Sequence, residues 1–207
     1  MRIFLTGATG YIGSSVLDAL VRGGHDVTAL VRDNEKARAV AARGGHPVIG
    51  NLAEPESFRG AADAQDGYVH TAFDTASGKG PAVERAALDL ILAAAKRPRT
   101  AGSTTPPKRF VIYTSGAWVL GRTEEPATED APVHPIALVS WRPAHETFVL
   151  QAATDGLVSM LIDYEPGCGV GVVLSHPRFR RWTAYCHLTR AVVTAIDRQS
   201  TDIARGV

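Results

Sequence analysis

An apolar run from Arg2 to Thr6 leads directly into Gly7-Ala8-Thr9-Gly10-Tyr11-Ile12-Gly13, and an amphipathic pattern carried by Ile12, Val16, Leu17, Leu20 and Val21 begins inside that loop. A strand, three glycines at three-residue intervals and a helix in immediate succession constrain this chain more than any other feature. Gly7 permits the tight turn, Gly10 lets a phosphate group approach the backbone, and Gly13 allows the helix to pack closely on the strand. Amides at the helix N-terminus supply a positive end to such a cradle. The competing reading is an ordinary glycine-rich turn, which the combination of strand, spacing and helix argues against.

Further runs rich in β-branched residues recur at Asp26 to Val31, His46 to Ile49, Tyr68 to Ala72, Arg109 to Thr114 and Leu157 to Ile162. They read as buried parallel strands. A second helical pattern, Val83, Ala86, Ala87, Leu90, Ile91 and Ala94, shares one face. Gly23-Gly24 and Gly44-Gly45 stand where helices should stop, Asp33 is placed to cap the helix after the second strand, and Pro55 suits a helical first turn. Alternating β and α elements predict an α/β fold with a doubly wound parallel sheet, and a ligand crevice where the strand order reverses beside the first strand's carboxyl end. Arg97 to Pro107 and Gly121 to Pro135 are proline-interrupted loops within one domain.

Composition narrows the function classes. With 207 residues, 45% of them hydrophobic, the chain supports one sizeable core. Lys plus Arg at 22 against Asp plus Glu at 21 lacks the basic excess of a nucleic-acid reader. The two cysteines, Cys168 and Cys186, make neither a disulfide framework nor a four-ligand zinc site, so no metal is expected and a reducing cytoplasm fits. No stretch approaches the length of a membrane span.

Thr6-Gly7-Ala8-Thr9-Gly10-Tyr11-Ile12-Gly13 resembles the fingerprint of short-chain dehydrogenases/reductases, especially extended and atypical members related to NAD-dependent epimerases/dehydratases. Gly50-Asn51-Leu52 stands where that superfamily has Gly-Asp-Leu beside the adenine, His70-Thr71-Ala72-Phe73 ends the fourth strand where the cofactor passes, and Thr114-Ser115-Gly116 ends the fifth. The resemblance implies a Rossmann-type, three-layer α/β/α domain over 1–174. Its cofactor-binding positions would be Gly7, Thr9, Gly10, Tyr11, Ile12, Gly13, Arg32, Asn51, Leu52, Thr71, Ala72, Phe73 and Thr114. The second strand ends Leu30-Val31-Arg32, and a guanidinium there suits the 2′-phosphate of NADP. A solvated surface arginine is the alternative, and the neighbouring Asp33 could serve a ribose hydroxyl, which leaves NAD open.

Members of this superfamily use a Ser/Thr, a Tyr and a Lys four residues after the Tyr. Here Gly116 falls at the Ser/Thr position with Ser115 one residue early, Trp141 replaces the Tyr, and His145 replaces the Lys. An indole cannot shuttle a proton as a phenol does. His145 titrates near neutrality and shares a helix face with Trp141, so Ser115, His145 and Trp141 are the catalytic candidates; a hydrogen-bonded structural histidine is the competing reading. Glu146 reads as solvated and Tyr113 as packed, while Tyr164 is unassigned. Cys168, in Gly167-Cys168-Gly169-Val170-Gly171 where relatives carry an Arg-Pro loop, reads as a small residue on a crowded loop rather than a reactive thiol.

Extended relatives continue for another substrate-facing lobe, which here reads as truncated. Residues 175–207 offer Arg178, Arg180 and Arg181 on a turn and one amphipathic pattern, Tyr185, Leu188, Val192 and Ile196, expected to pack on the same domain or on the second subunit of a homodimer. Two function classes follow. One is an atypical NADP-dependent oxidoreductase or epimerase-like enzyme acting on a small carbonyl, imine or sugar-like substrate; the other is a non-catalytic dinucleotide-binding redox sensor.

Overall fold

The computed structural model describes residues 1–63, 65–98, 109–122, 131–154 and 157–164. Six parallel strands, β1 (Arg2–Thr6), β2 (Asp26–Val31), β3 (His46–Ile49), β4 (Gly67–His70), β5 (Arg109–Gly116) and β6 (Leu157–Tyr164), form one sheet in the order β3-β2-β1-β4-β5-β6. The order reverses between β1 and β4, so the crevice of this doubly wound Rossmann-type sheet opens beside the end of β1. The helices are α1 (Tyr11–Arg22), α2 (Asn34–Ala41), α3 (Arg59–Asp63), α4 (Gly80–Lys96) and α5 (Arg142–Gln151). Asp33 caps α2 by accepting from the Lys36 amide at 2.8 Å, and Pro55 opens a short 3₁₀ turn, Pro55–Phe58.

The period-2 alternation of strands sorts two cores. Ile3 and Leu5 of β1, with Phe110 and Ile112 of β5, bury one face against Val16, Leu17 and Leu20 of α1 and Val40 of α2. Phe4 of β1, Tyr68 of β4 and Val111 and Tyr113 of β5 bury the other against Ala87, Leu88 and Ile91 of α4 and Val149 of α5.

Three expectations shift. The fourth strand spans Gly67–His70, so Thr71 and Ala72 lie beyond its end, whereas the fifth and sixth continue past their expected ends to Gly116 and Tyr164. The buried face of α4 is wider than expected: Ala87, Leu90, Ile91 and Ala94 are buried as the pattern implies, Ala86 is exposed and Val83 only half-buried, and Gly80, Glu84, Leu88, Leu92 and Ala95 are buried as well. A glutamate on the buried face is excluded by an apolar rule and is tolerated here because polar partners meet it. The expected C-terminal extension at 175–207, with Arg178, Arg180, Arg181 and its amphipathic pattern, lies outside the described residues, as do the 167–171 loop and both cysteines. Among the described residues no helix is long and apolar enough to cross a membrane, and no cluster of three or more His, Cys, Asp or Glu could hold a metal ion.

Candidate active site

Each glycine of the first loop has its own steric reason. Gly7 adopts φ +77°, and a Cβ there would lie 2.6 Å from Thr71 Oγ1 and 2.8 Å from the Ala72 amide nitrogen. A Cβ on Gly13 would sit 2.0 Å from the Gly7 carbonyl oxygen, because α1 packs directly on the turn that precedes it. Gly10 differs: its backbone is extended (φ −83°, ψ 174°), and a Cβ would meet only the Gly7 oxygen, at 3.3 Å. It is the N-cap of α1, and no side chain caps the helix. Two glycines therefore close the turn onto Thr71 and Ala72, and the third leaves open space over a helix N-terminus, a cradle that fits a pyrophosphate. Thr9 and Tyr11 are exposed around it, Tyr11 at 84%, and Ile12 turns inward against the α1 core.

Beyond β2, Arg32 is exposed and close enough for its charge to help hold the Asp74 carboxyl below its ordinary value; the Ser77 hydroxyl is the larger cause there. Asp33 is engaged with the α2 amides and lies 3.5 Å from Lys36 Nζ, and the Lys36 amide keeps its carboxyl ionised to lower pH than usual. Asn51 is held in a tight turn by Ser57, whose hydroxyl accepts from the Asn51 amide at 2.9 Å, and Leu52 is half-buried beside it. Thr71 donates to the Thr6 carbonyl at 2.7 Å, Phe73 is partly exposed, and the Thr114 hydroxyl is buried with no hydrogen-bond partner among the described residues.

Register and pleat bring a polar row to the C-terminal end of the second face. Thr6 pairs with His70, and His70 with Tyr113. Thr6 Oγ1 lies 2.8 Å from His70 Nδ1, and the His70 and Tyr113 rings stack 6.0 Å apart. Glu84 descends from α4 onto this row. Its Oε2 accepts from the Tyr113 hydroxyl at 2.9 Å and lies 2.9 Å from His145 Nδ1; its Oε1 is 4.0 Å from Arg142 Nη1. Arg142 also donates to the Tyr113 hydroxyl at 3.1 Å and to the Thr114 carbonyl at 3.3 Å. Burial lowers the His70 pKa to about 4, so that ring is neutral, and burial together with the adjacent Glu84 carboxylate pushes the Tyr113 phenol well above its ordinary value.

Ser115, two residues after Tyr113, points to the same side of the sheet and is hydrogen-bonded to Glu146 of α5. Arg142, His145, Glu146 and Val149 recur at helical spacing and form the inner face of α5, which corrects the expectation that Glu146 is solvated: it is 8% exposed. Burial raises its pKa, against the opposing effects of the Ser115 hydroxyl and Arg142.

A cleft of about 640 Å³ lies where Ser115 and Gly116 of β5, the 73–81 segment, Trp118, Leu138, Val139, Trp141 and Arg142 converge. Trp141 stacks on Phe73 (centroids 5.3 Å, planes 3° apart), with the Arg142 guanidinium 4.5 Å from the indole centroid. His145 touches the Trp141 edge at 5.0 Å but is 7% exposed, faces Glu84 and does not line the cleft. Of the three catalytic candidates, Ser115 and Trp141 line the cleft and His145 stands behind them. Sequence reasoning missed Glu84, Arg142, Trp118 and the burial of Glu146. Glu84 had a signal, an acid at the three- and four-residue spacing from Ala87, Leu88 and Ile91; the partner of Glu146 had none.

Residues 7–121 match the family described as NAD(P)H-binding. An uncharacterized protein of Schizosaccharomyces pombe is 45% identical over 73 residues (35% of this chain, 25% of that protein). The 4-hydroxy-2-methyl-3-oxo-4-farnesyl-3,4-dihydroquinoline-1-oxide ketoreductase of Stigmatella aurantiaca is 42% identical over 72 residues (35% and 22%). The chain thus spans about a quarter of the length of these curated relatives. Among solved structures, UDP-glucose 4-epimerase from Thermotoga maritima superposes with a TM-score of 0.61 at 17% identity, over 83% of this chain and 60% of that one, a likeness of fold. With the family match covering more than half of the chain and the glycine turn in place at the strand-order reversal, the chain belongs to the NAD(P)H-binding family.

Proposed function

We propose that the chain is an NADP-preferring oxidoreductase that reduces a carbonyl or imine on a small substrate with an apolar, planar flank. The observation that carries this reading is the position of the cleft: it adjoins the β4 and β5 ends beside the glycine cradle, and its wall is aromatic and aliphatic apart from Ser115, Asp74, Thr75 and Arg142. The α1 N-terminus and Gly10 would hold the pyrophosphate, Asn51 and Leu52 would flank the adenine, and Thr71, Ala72, Phe73 and Thr114 would line the path toward the nicotinamide. Arg32 would pair with the 2′-phosphate. The engagement of Asp33 in helix capping supports this choice, because the carboxylate that would otherwise take a ribose hydroxyl is already hydrogen-bonded. When bound, the reduced dinucleotide supplies a hydride.

A second reading, a dinucleotide-binding sensor without turnover, is supported by one feature: Trp141, which the sequence spacing sets where the resembled superfamily has its acid/base tyrosine, is stacked on Phe73. Fluorescence titration with NADPH and NADH, followed by NADPH oxidation across a panel of ketones, quinones and imines, separates the two. Tighter NADPH binding with turnover on apolar carbonyls is expected. NADPH binding with no turnover across the panel would favour the sensor, and equal affinities for the two dinucleotides would remove Arg32 as the discriminator.

A further inference from the structure

Ser115 and Glu146 are a hydroxyl and a carboxyl hydrogen-bonded to each other at the wall of the cleft, brought together by β5 and α5 across 31 residues of sequence. Ser115 is 6% and Glu146 8% exposed, and only Ser115 of the two lines the cleft. A buried carboxyl reaching the cleft through one serine has no packing purpose that an apolar residue would not serve as well. We propose that Ser115 and Glu146 form a proton relay, with Ser115 donating a proton to the oxygen or nitrogen of the substrate's double bond and Glu146 replenishing Ser115. The inference rests on the oxidoreductase reading above and names the proton path for it.

The balance is complete. The reduced dinucleotide, when bound, would supply the hydride to the substrate carbon, and the π electron pair of the C=O or C=N bond would take the Ser115 hydroxyl proton. Ser115 Oγ then takes the proton of the Glu146 carboxyl, and the carboxylate left behind is reprotonated from water after product leaves. The relay needs Glu146 protonated at working pH, which burial favours by raising its pKa. In the structure the Ser115 hydroxyl donates to Glu146 Oε1; a protonated Glu146 would reverse that bond and free the serine proton for the cleft. Titratable and charged groups on the elements packed around Glu146 are Arg142 and His145 on its own helix, Arg109 and Tyr113 on β5, Glu84, Arg85, Asp89 and Lys96 on α4, and Asp163 and Tyr164 of β6, Asp163 at the register position paired with Ser115. Of these, Arg142 acts against protonation and Glu84 already accepts from Tyr113. Trp141 lines the cleft but has no proton to exchange, and His145 does not line it, whereas the Ser115 hydroxyl both lines the cleft and has a carboxyl behind it.

Two measurements on the full chain test the relay. Difference infrared spectra of the cofactor-free protein, recorded as pH is stepped, should show a protonated carboxyl band that persists to higher pH than an ordinary glutamate's, disappears in Glu146→Gln and shifts in Ser115→Ala. In steady-state assays with a carbonyl reduced by wild type, kcat/KM should fall as pH rises through the Glu146 titration. Glu146→Gln should lower kcat/KM about a hundredfold, within the usual range for loss of a general acid, and flatten that limb. Ser115→Thr, which keeps a hydroxyl, should retain most activity, whereas Ser115→Ala should not. A Glu146→Gln variant with unchanged rate and pH profile, or a wild-type spectrum whose carboxyl band survives in Glu146→Gln, overturns the relay. Absence of wild-type turnover with intact NADPH binding removes the oxidoreductase reading and the relay together, and is distinguished by appearing before any variant is made.

Discussion

In the sequence Gly10 is placed for phosphate approach and Gly13 for helix packing, and the surroundings of the two glycines differ. A Cβ at Gly13 would lie 2.0 Å from the Gly7 carbonyl oxygen, far inside van der Waals contact, and because that atom is backbone, α1 must move to admit a methyl group. Overpacking of this kind costs about 1–3 kcal/mol or more. In a chain of this size that corresponds to a Tm lower by about 2–12 °C for Gly13→Ala. At Gly10 the backbone is one any residue adopts and a Cβ meets only one atom, at 3.3 Å, so Gly10→Val should cost no more than about 1 kcal/mol in the free protein. Its side chain would instead fill the space proposed for the pyrophosphate. Thermal unfolding followed by circular dichroism, with and without NADPH at about a hundred times Kd, reads both effects. Wild type and ligand-competent variants should gain about 2.7 kcal/mol from the bound dinucleotide, or roughly 5–10 °C, and Gly10→Val should gain nothing. A Gly10→Val protein that keeps the full NADPH-induced shift would refute the cradle, and a Gly13→Ala protein that melts with wild type would refute the packing argument.

Arg32→Asp should reverse the preference from NADPH to NADH in a fluorescence titration, since a carboxylate repels the 2′-phosphate and accepts from the ribose hydroxyl; an unchanged order would show that Arg32 does not read the phosphate. His70 titrates at about 4 in the folded protein against 6.5 as the ordinary value, so the unfolded chain binds its proton first. Its contribution to stability is complete above pH 6.5 and declines as pH falls through the window down to about 4, by about 3 kcal/mol in all. Urea unfolding of wild type and His70→Gln at several pH values should show that difference in slope, and parallel curves would contradict the neutral buried ring. Glu84→Ala should destabilise the protein by about 3–5 kcal/mol, because Tyr113, His145 and Arg142 lose a buried acceptor; chemical denaturation that finds less than 1 kcal/mol would show that the network is not structural.

Local patterns determined most of the architecture. The glycine spacing, the β-branched runs and the helix stops lie within a few residues of one another, and backbone sterics and periodicity act at that range, so the strand order reversal and the cradle at β1 were legible before any coordinate. The Asp33 cap, a contact three residues long, was legible for the same reason. The place of Glu84 on the buried face of α4 was not, because apolarity marks burial only where a buried group has no polar partner, and Glu84 meets Tyr113 and His145 from elements 29 and 61 residues away. Ser115 and Glu146 show the same limit. Ser115 stands out as a candidate but Glu146 looks ordinary in the chain, and their pairing depends on the pleat of β5, which turns Ser115 to the side of Tyr113, and on the rotation of α5, which turns Glu146 inward. Tertiary structure alone decided that His145 stands behind the cleft while Trp141 lines it, since residues one helical turn apart share a face but reach to different depths where α5 leans on the sheet.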